Sequence, residues 1–315
     1  MKKVLVTSRS FGKTSDVSTN MLKEQGWQID YMTTNFDQAK FEQEIPSYQA
    51  LIIGAHPFPP ELFDLCPNLQ IICKHGVGLD NIPLQAAKEH NVIVTNAPNT
   101  NSDAVADFTV MMMLACARNF VYSVNALKER NFVANIGVDV CNKKLGLLGF
   151  GHIAKKVAQR AHGFNMEISA YDPYVSQAPE DLSYVKLVSY EDVLKNSDFI
   201  CVHLPLTDET RGMIGAKQFS MMKPTARLID TARGGLVDEK ALYEAVKNGV
   251  IAGAGLDVTL AEPIEADNPL LTLPQVIITN HVASYSKEAL DAISIICAGN
   301  VIKASEGKEV LNRVV

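Results

Sequence analysis

An arginine, a glutamate and a histidine are the residues best suited to chemistry in this 315-residue chain. Arg233 lies in the segment DTARGG, Glu262 in LDVTLAEP and His281 in TNHVAS. A guanidinium can bind a carboxylate through two parallel hydrogen bonds, an imidazole can transfer a proton near neutral pH, and a glutamate can orient and charge that imidazole. Together the three segments predict an acid/base site for a small carboxylate substrate.

A glycine-rich segment about eighty residues before Arg233 indicates a dinucleotide cofactor. The run LGLLGFGHIA begins at Leu145 and places Gly149, Gly151 and Ala154 in the pattern GxGxxA, between a predicted strand and a predicted helix. In such a segment the first glycine allows a tight turn, the second lets the backbone approach a pyrophosphate, and the small third residue allows close helix packing. We therefore expect dinucleotide binding here.

An acidic residue at the end of the next predicted strand favours NAD over NADP. Asp172 is placed to accept hydrogen bonds from the adenosine ribose, and no arginine or lysine follows within about ten residues to neutralise a 2′-phosphate. The other interpretation of Asp172 is a solvated turn before Pro173. Asp257 closes another strand and could bind the nicotinamide carboxamide or, alternatively, cap a turn.

Short β-rich runs alternate with helical patterns along the whole chain, which predicts parallel sheets with crossover helices. The pattern predicts an α/β fold of two Rossmann-like doubly wound domains, with the cofactor domain inserted into a smaller, flavodoxin-like substrate domain. We place the substrate domain at residues 1–98 and 284–315, and the NAD-binding domain at 99–283. Continuous helices are predicted from about Ser102 to Arg130 and from about Lys287 to Ser305, the latter packing on the first domain.

Composition argues against nucleic-acid and membrane partners. The formal net charge is −6, 47% of residues are hydrophobic, and no basic run offers a surface for a polyanion. The longest apolar run, from Phe108 to Ala117, is about half a membrane span. The six cysteines have neither CxxC pairs nor metal-ligand spacing, so we expect reduced core thiols, no metal and a cytoplasmic location.

Several of these motifs, in this order, resemble those of the NAD-dependent D-isomer-specific 2-hydroxyacid dehydrogenases, including phosphoglycerate dehydrogenases. The similarity also covers HLPLTDET from His203 and ARGGLVD from Ala232, and it spans nearly the whole chain. It implies that the substrate binds in a cleft between the domains, with Arg233 holding its carboxylate and with His281 and Glu262 relaying the proton. The segment KHGVG from Lys74 resembles the substrate loop of that family, which implies that Lys74, Gly76, Val77 and Gly78 contact the substrate.

The cofactor contacts implied by the resemblance lie in six short segments of the second half of the chain. They are Gly149, Gly151, His152, Ile153, Asp172, His203, Pro205, Thr210, Thr231, Ala232, Asp257 and His281.

The resemblance also implies a homodimer, with the region from Phe108 to Asn131 as a contact surface. The substrate is expected to be a small D-2-hydroxyacid or 2-ketoacid, with 3-phosphoglycerate among the candidates although only Lys74 and His56 could bind its phosphate. Asp230 stands where the family often has asparagine. The chain ends soon after its last helical pattern, so we expect no serine-sensing domain and no feedback by serine.

Two other functions are compatible with this fold. One is an NAD(H)-sensing, non-enzymatic protein like the corepressors that share the fold, and consumption of NADH with 2-ketoacids would distinguish it from an enzyme. The other is formate oxidation, which Glu262 and the short N-terminal part make the weaker interpretation.

Overall fold

The computed structural model describes residues 2–34, 36–132 and 134–315, and the chain divides into two compact units. The first unit comprises Met1–Asn101 and Tyr285–Val315, and the second comprises Ser102–Ser284. Each unit contains one parallel sheet with helices between its strands, which confirms the predicted fold class.

The strands are β1 (Lys2–Val6), β2 (Trp27–Tyr31), β3 (Ala50–Ile53), β4 (Ile71–Lys74), β5 (Ile93–Thr95), β6 (Lys144–Leu148), β7 (Glu167–Tyr171), β8 (Lys186–Leu187), β9 (Phe199–Val202), β10 (Arg227–Asp230), β11 (Gly253–Leu256) and β12 (Val276–Ile278). The α-helices are α1 (Val17–Glu24), α2 (Gln38–Glu44), α3 (Leu62–Leu65), α4 (Leu84–Glu89), α5 (Ser102–Ala117), α6 (Phe120–Lys128), α7 (His152–His162), α8 (Tyr190–Asn196), α9 (Ala216–Met221), α10 (Glu239–Lys247) and α11 (Lys287–Ser305). Short 3-10 helices span Ile45–Ser47, Glu180–Leu182, Gly234–Leu236 and Pro269–Thr272.

The sheet of the first unit has the strand order β2-β1-β3-β4-β5, which is the flavodoxin-like order. All its strands are parallel, and β3 is buried along its whole length because helices cover both faces. Helix α11 returns from the second half of the sequence, as predicted. Its residues Ile293 and Val301 are buried in one apolar cluster with Val4 and Val6 of β1.

The sheet of the second unit has the order β12-β11-β10-β9-β6-β7-β8. Successive strands run outward in both directions from the adjacent pair β6 and β9, so the strand order reverses between them. In open parallel sheets, ligands bind at the carboxyl ends of the strands where the order reverses. Strand β8 was not predicted, because two residues at a sheet edge are too few to show a periodic pattern.

The prediction of one continuous helix from Ser102 to Arg130 is wrong. Helices α5 and α6 are separated by Asn119, whose φ of 51° is left-handed and whose side chain donates a hydrogen bond to the carbonyl of Ile136. Asparagine adopts this conformation more readily than most residues, so it can end a helix without glycine or proline. Within the described ranges, no single helix is long and apolar enough to cross a membrane. Only α5 and α6 taken together have the length and composition, and they are bent by 64°.

Candidate functional site

The glycine loop between β6 and α7 has the shape that the sequence pattern predicts. Gly149 has a φ of 90°, and an added Cβ would lie 2.7 Å from the carbonyl oxygen of His203, so no larger residue fits without displacement. At Gly151 an added Cβ would meet nothing within 4 Å. Gly151 therefore borders open space at the start of α7, where His152 and Ile153 form the first turn and where backbone N–H groups favour an anion.

Asp172 lies beside this loop, directly after β7. Its Oδ2 accepts a hydrogen bond of 2.8 Å from the backbone N–H of Phe150, and its Oδ1 accepts one of 2.9 Å from Tyr174. The carboxylate is thus held against the glycine loop, at the strand end where the acidic residue of a dinucleotide site is expected.

His203 directly follows β9, near the glycine loop, and its ring lacks hydrogen-bond partners in the portion of the chain that the structure describes. Both of its ring nitrogens are buried, and neither has a hydrogen-bond partner among the described residues. Burial lowers the pKa of this histidine to about 4, so the ring is neutral at physiological pH. Because buried polar atoms are normally satisfied, this ring fits beside a polar ligand group that the chain itself does not supply. Nearby, the Thr210 hydroxyl donates to the carbonyl of Pro205 at 2.7 Å, so it fixes its own loop.

The segment after β10 is a tight turn built by Asp230. The Oδ1 of Asp230 accepts a hydrogen bond of 2.8 Å from the N–H of Ala232, and the hydroxyl of Thr231 is 2.9 Å from that of Thr109 on α5. Asp230 is 1% exposed, and its Oδ2 has no partner in the described parts of the chain. These contacts fix the direction in which the chain leaves the strand toward Arg233.

Arg233 is half-buried, and close backbone packing holds its segment in place. Its Nη1 donates a hydrogen bond of 2.7 Å to the carbonyl of Ala232. At Gly234 an added Cβ would lie 2.1 Å from the carbonyl carbon of Thr259, so only glycine allows this approach. The arginine segment therefore packs directly against the segment that leads to Glu262.

Glu262 and His281 are joined by a hydrogen bond of 2.8 Å between Oε2 and Nδ1. Their side chains are 39% and 44% exposed. Burial opposes ionisation of Glu262, but the hydrogen bond and the charge of His281, with a smaller contribution from Arg233, hold the pKa of the carboxyl below its usual value. The glutamate is therefore a carboxylate at neutral pH, and it fixes the Nδ1 side of the imidazole while Nε2 remains for a second partner.

The backbone of His281 is held in a rare conformation by Asp257. His281 has a φ of 56°, and its N–H donates to the carbonyl of Asp257 at 2.8 Å. The buried carboxylate of Asp257 also accepts hydrogen bonds from the N–H groups of Val282 and Ala283 and from the hydroxyl of Thr279. Asp257 therefore caps the turn that carries the histidine, which was the alternative interpretation of this residue. A contact with the cofactor remains a prediction.

Glu239 was not among the predicted site residues, but it holds the segment that carries Glu262. Its Oε1 accepts a hydrogen bond from the N–H of Leu260, and its Oε2 accepts one of 2.8 Å from the side chain of Asn268. The only signal was an acidic residue in the first turn of α10, which is ordinary helix chemistry.

The predicted substrate residues lie in the first unit, at and after the end of β4. The ammonium of Lys74 donates hydrogen bonds of 2.8 Å to the carbonyl of Gly54 and to the side chain of Asn81. The carbonyls of Gly76 and Val77 accept from the N–H of Ala97 and from the side chain of Asn96, respectively. These hydrogen bonds tie the predicted substrate loop, which continues through Gly78, to its own unit.

Parallel topology explains why the three side chains predicted to be catalytic lie near each other. Arg233 follows β10, Glu262 follows β11 and His281 follows β12, and these strands are adjacent and parallel. Because the carboxyl ends of parallel strands meet at one edge, segments separated by some fifty residues converge there. Where the structure describes the chain, no group of three histidine, cysteine or acidic side chains could hold a metal ion.

The fold is that of a two-unit α/β protein whose second sheet has a glycine loop where the strand order reverses and a hydrogen-bonded glutamate–histidine pair at the carboxyl ends of neighbouring strands. Residues 110–283 match the family model described as "D-isomer specific 2-hydroxyacid dehydrogenase, NAD binding domain". The chain therefore belongs to the D-isomer specific 2-hydroxyacid dehydrogenase family. The same match confirms NAD as the cofactor, and the open space at Gly151, the position of Asp172 and the unsatisfied ring of His203 fit it.

Similar proteins have different names and different lengths. The chain is 36% identical to a D-3-phosphoglycerate dehydrogenase of Archaeoglobus fulgidus over 95% of its own length, but spans 57% of that relative. It is 40% identical to a glyoxylate reductase of Korarchaeum cryptofilum, covering 80% of this chain and 78% of the relative. The crystal structure of D-lactate dehydrogenase from Aquifex aeolicus, complexed with NAD and lactic acid, superposes with a TM-score of 0.85 at 29% identity, covering 100% of this chain and 99% of that one.

Proposed function

We propose that this protein is an oxidoreductase that transfers a hydride between NAD(H) and C2 of a small D-2-hydroxyacid or 2-ketoacid. The observation that carries the proposal is the hydrogen bond of 2.8 Å between Glu262 and His281, formed beside the segment of Arg233. This arrangement supplies a proton donor and acceptor together with a carboxylate-binding cation. Those are the two functions that interconversion of a hydroxyacid and a ketoacid requires from the protein.

His281 is proposed to move the proton. In the oxidative direction its Nε2 accepts the proton of the C2 hydroxyl, and in the reductive direction it returns a proton to the carbonyl oxygen. Glu262 stabilises the imidazolium and fixes the ring by accepting the Nδ1–H. NAD(H), when bound, supplies or removes the hydride at C2.

Arg233 is proposed to orient the substrate by binding its carboxylate through two parallel hydrogen bonds. The tight approach of Gly234 to Thr259 fixes the arginine segment relative to the glutamate segment. Such fixed geometry lowers the barrier, because reacting groups are held in place before the reaction begins. In the first unit, Lys74, Gly76, Val77 and Gly78 are proposed to contact the substrate.

For the cofactor, Gly149, Gly151, His152 and Ile153 are proposed to hold the pyrophosphate, and Asp172 the adenosine ribose. The remaining predicted contacts are proposed to lie nearer the nicotinamide or to shape the crevice. They are His203, Pro205, Thr210, Thr231, Ala232, Asp257 and His281.

Unphosphorylated 2-ketoacids are proposed as better substrates than phosphohydroxypyruvate. A phosphate requires closely placed cations. Lys74 already donates to Gly54 and Asn81, and burial lowers the pKa of His56 to about 4, so that ring carries no charge at neutral pH. Both observations argue against strong phosphate binding by Lys74 and His56, the two candidate groups.

A panel of 2-ketoacids tests the proposed function. NADH oxidation is followed with glyoxylate, hydroxypyruvate, pyruvate, branched ketoacids and phosphohydroxypyruvate, using wild-type protein and the variants Arg233→Ala and His281→Ala. We expect turnover of at least one unphosphorylated ketoacid and a loss of roughly 100-fold or more in kcat/KM for each variant. NADH binding without turnover of any member would instead favour the NAD(H)-sensing alternative, and unchanged variants would refute the roles of these residues.

We further propose a homodimer that pairs through the surface of α5 and α6. Met111, Phe120 and Leu127 are 48%, 60% and 58% exposed, and a shallow groove of about 600 Å³ lies beside Met111 and Phe120. Clusters of exposed apolar side chains often mark association surfaces. Light scattering should give the mass of a dimer for the wild type and for Tyr174→Glu, which changes an exposed aromatic residue elsewhere on the same unit. Phe120→Glu should give a monomer, and a dimer in that variant would refute this surface.

A further inference from the structure

The buried carboxyl of Asp230 lies in a position that none of the proposed catalytic steps uses. Asp230 ends β10 and is 1% exposed, and one of its oxygens builds the turn that leads to Arg233. Its other oxygen, Oδ2, is buried without a hydrogen-bond partner among the described residues. An ionised carboxylate is normally either solvated or satisfied on both oxygens, so the environment disfavours the charged form.

The surrounding charges act in opposite directions on this carboxyl. The nearby Arg233 and the N–H groups of Ala232 and Arg233 favour ionisation, whereas burial and the charge of Asp257 oppose it. His203 comes directly after Val202, the residue of β9 that pairs with Asp230, and its ring is neutral. Burial is the largest effect and raises the pKa of Asp230 to about 7, so the carboxyl changes its charge within the range in which enzymes are assayed.

The two buried carboxyls hold the two halves of the proposed site. Asp230 fixes the turn before Arg233, and Asp257 fixes the turn of His281 through the N–H groups of Val282 and Ala283. A second negative charge beside Asp257 introduces repulsion between these turns. A neutral Asp230 still accepts the hydrogen bond from Ala232 and introduces no such repulsion.

We propose that Asp230 is a positioning residue that acts in its protonated form, keeping Arg233 aimed at the substrate carboxylate, and that loss of its proton weakens substrate binding. This inference rests on the proposed function, because it assigns Asp230 a role in the same site. It predicts an effect on KM for the ketoacid, since Asp230 acts through the residue that binds the substrate carboxylate rather than through the residue that moves the proton.

The test compares pH profiles of KM and kcat for the best ketoacid between about pH 6 and pH 9. For the wild type, KM should rise roughly tenfold across this range, because the charge-assisted hydrogen bonds from Arg233 to the substrate carboxylate are partly lost. In Asp230→Asn, a neutral residue of the same shape, this rise should disappear. In Asp230→Ala, which removes the acceptor for Ala232, KM should be high at every pH. Asp238→Asn removes an exposed acid at the start of α10 and should retain the wild-type profile.

Two kinetic outcomes would overturn the role of Asp230 while leaving the proposed function intact. One is the same rise of KM in Asp230→Asn as in the wild type, and the other is a wild-type KM in Asp230→Ala. Difference infrared spectra of wild type and Asp230→Asn should also show one protonated carboxyl at pH 6 that is lost by pH 9, and the absence of that band at pH 6 would equally overturn the role. No turnover by the wild type on any ketoacid would instead overturn the proposed function, and this inference with it.

Discussion

Replacing Glu262 by glutamine should slow the oxidation of the best D-2-hydroxyacid roughly 30- to 150-fold. Glutamine can still accept a hydrogen bond from His281 but carries no charge to stabilise the imidazolium that forms as the hydroxyl proton is taken up. At the observed separation of 2.8 Å, two unit charges attract by about 1.5 kcal/mol in water and about 6 kcal/mol at an effective dielectric constant of 20. Because the side chains are 39% and 44% exposed, screening favours the lower part of that range, about 2 to 3 kcal/mol.

The assay for this prediction is steady-state kcat for NAD reduction, with the NADH dissociation constant measured separately by fluorescence titration. Glu265→Gln provides the matched control, since it removes the same charge from the same exposed loop. We expect kcat to fall in Glu262→Gln while NADH affinity stays unchanged, and Glu265→Gln to behave as the wild type. A kcat within threefold of the wild type in Glu262→Gln, or an equal loss in the control, would refute the electrostatic reasoning.

Three further predictions follow from the local geometry. Gly151→Ala should keep the wild-type thermal stability but weaken NADH binding roughly tenfold or more, because its Cβ fills open space at the start of α7. Gly149→Ala should instead lower the free energy of unfolding by about 1 to 3 kcal/mol, because its Cβ clashes with the carbonyl of His203. Calorimetry measures the stability and fluorescence titration the NADH affinity, and equal effects of the two variants would contradict the assignment. Asp172→Ala should weaken NADH more than NADPH, so the ratio of their dissociation constants should shift by about tenfold, and an unchanged ratio would exclude a ribose contact. In urea unfolding, Asp230→Asn should be more stable than the wild type by up to about 4 kcal/mol at pH 8 but by little near pH 4. Because the pKa of Asp230 is raised in the folded state, the folded wild type retains a proton that the unfolded chain releases, and wild-type stability falls as pH rises from about 4 to about 7. A stability difference that is independent of pH would contradict this.

The sequence sufficed for the architecture because alternation of short apolar runs with helical patterns leaves few possible topologies. The complementary chemistry of the motifs of Arg233, Glu262 and His281 predicted one site, and the structure adds that each motif follows one of three adjacent parallel strands. Helix α11 begins and ends where its helical pattern predicted, and the structure adds that Ser286 caps its first turn by accepting a hydrogen bond from the N–H of Ala289.

The features that escaped prediction depend on what surrounds a residue. Asn119 breaks the helix because its side chain reaches Ile136, a contact between residues 17 positions apart. Asp257 had two interpretations from the sequence; the structure shows that its oxygens cap the turn after β12, and a cofactor contact stays a prediction. The burial of Asp230 depends likewise on strands and helices distant in sequence.

Direct transfer of deuterium tests the central claim most closely. The protein would be incubated with a 2-ketoacid that it consumes and with NADH carrying deuterium at one of the two hydrogen positions of C4, each stereoisomer in turn, and the product analysed by NMR and chiral chromatography. We predict one deuterium at C2 of a D-configured hydroxyacid from one of the two stereoisomers, with transfer strongly slowed in His281→Ala. A C2 hydrogen derived from solvent, or an absence of transfer although NADH binds, would contradict hydride transfer at this site.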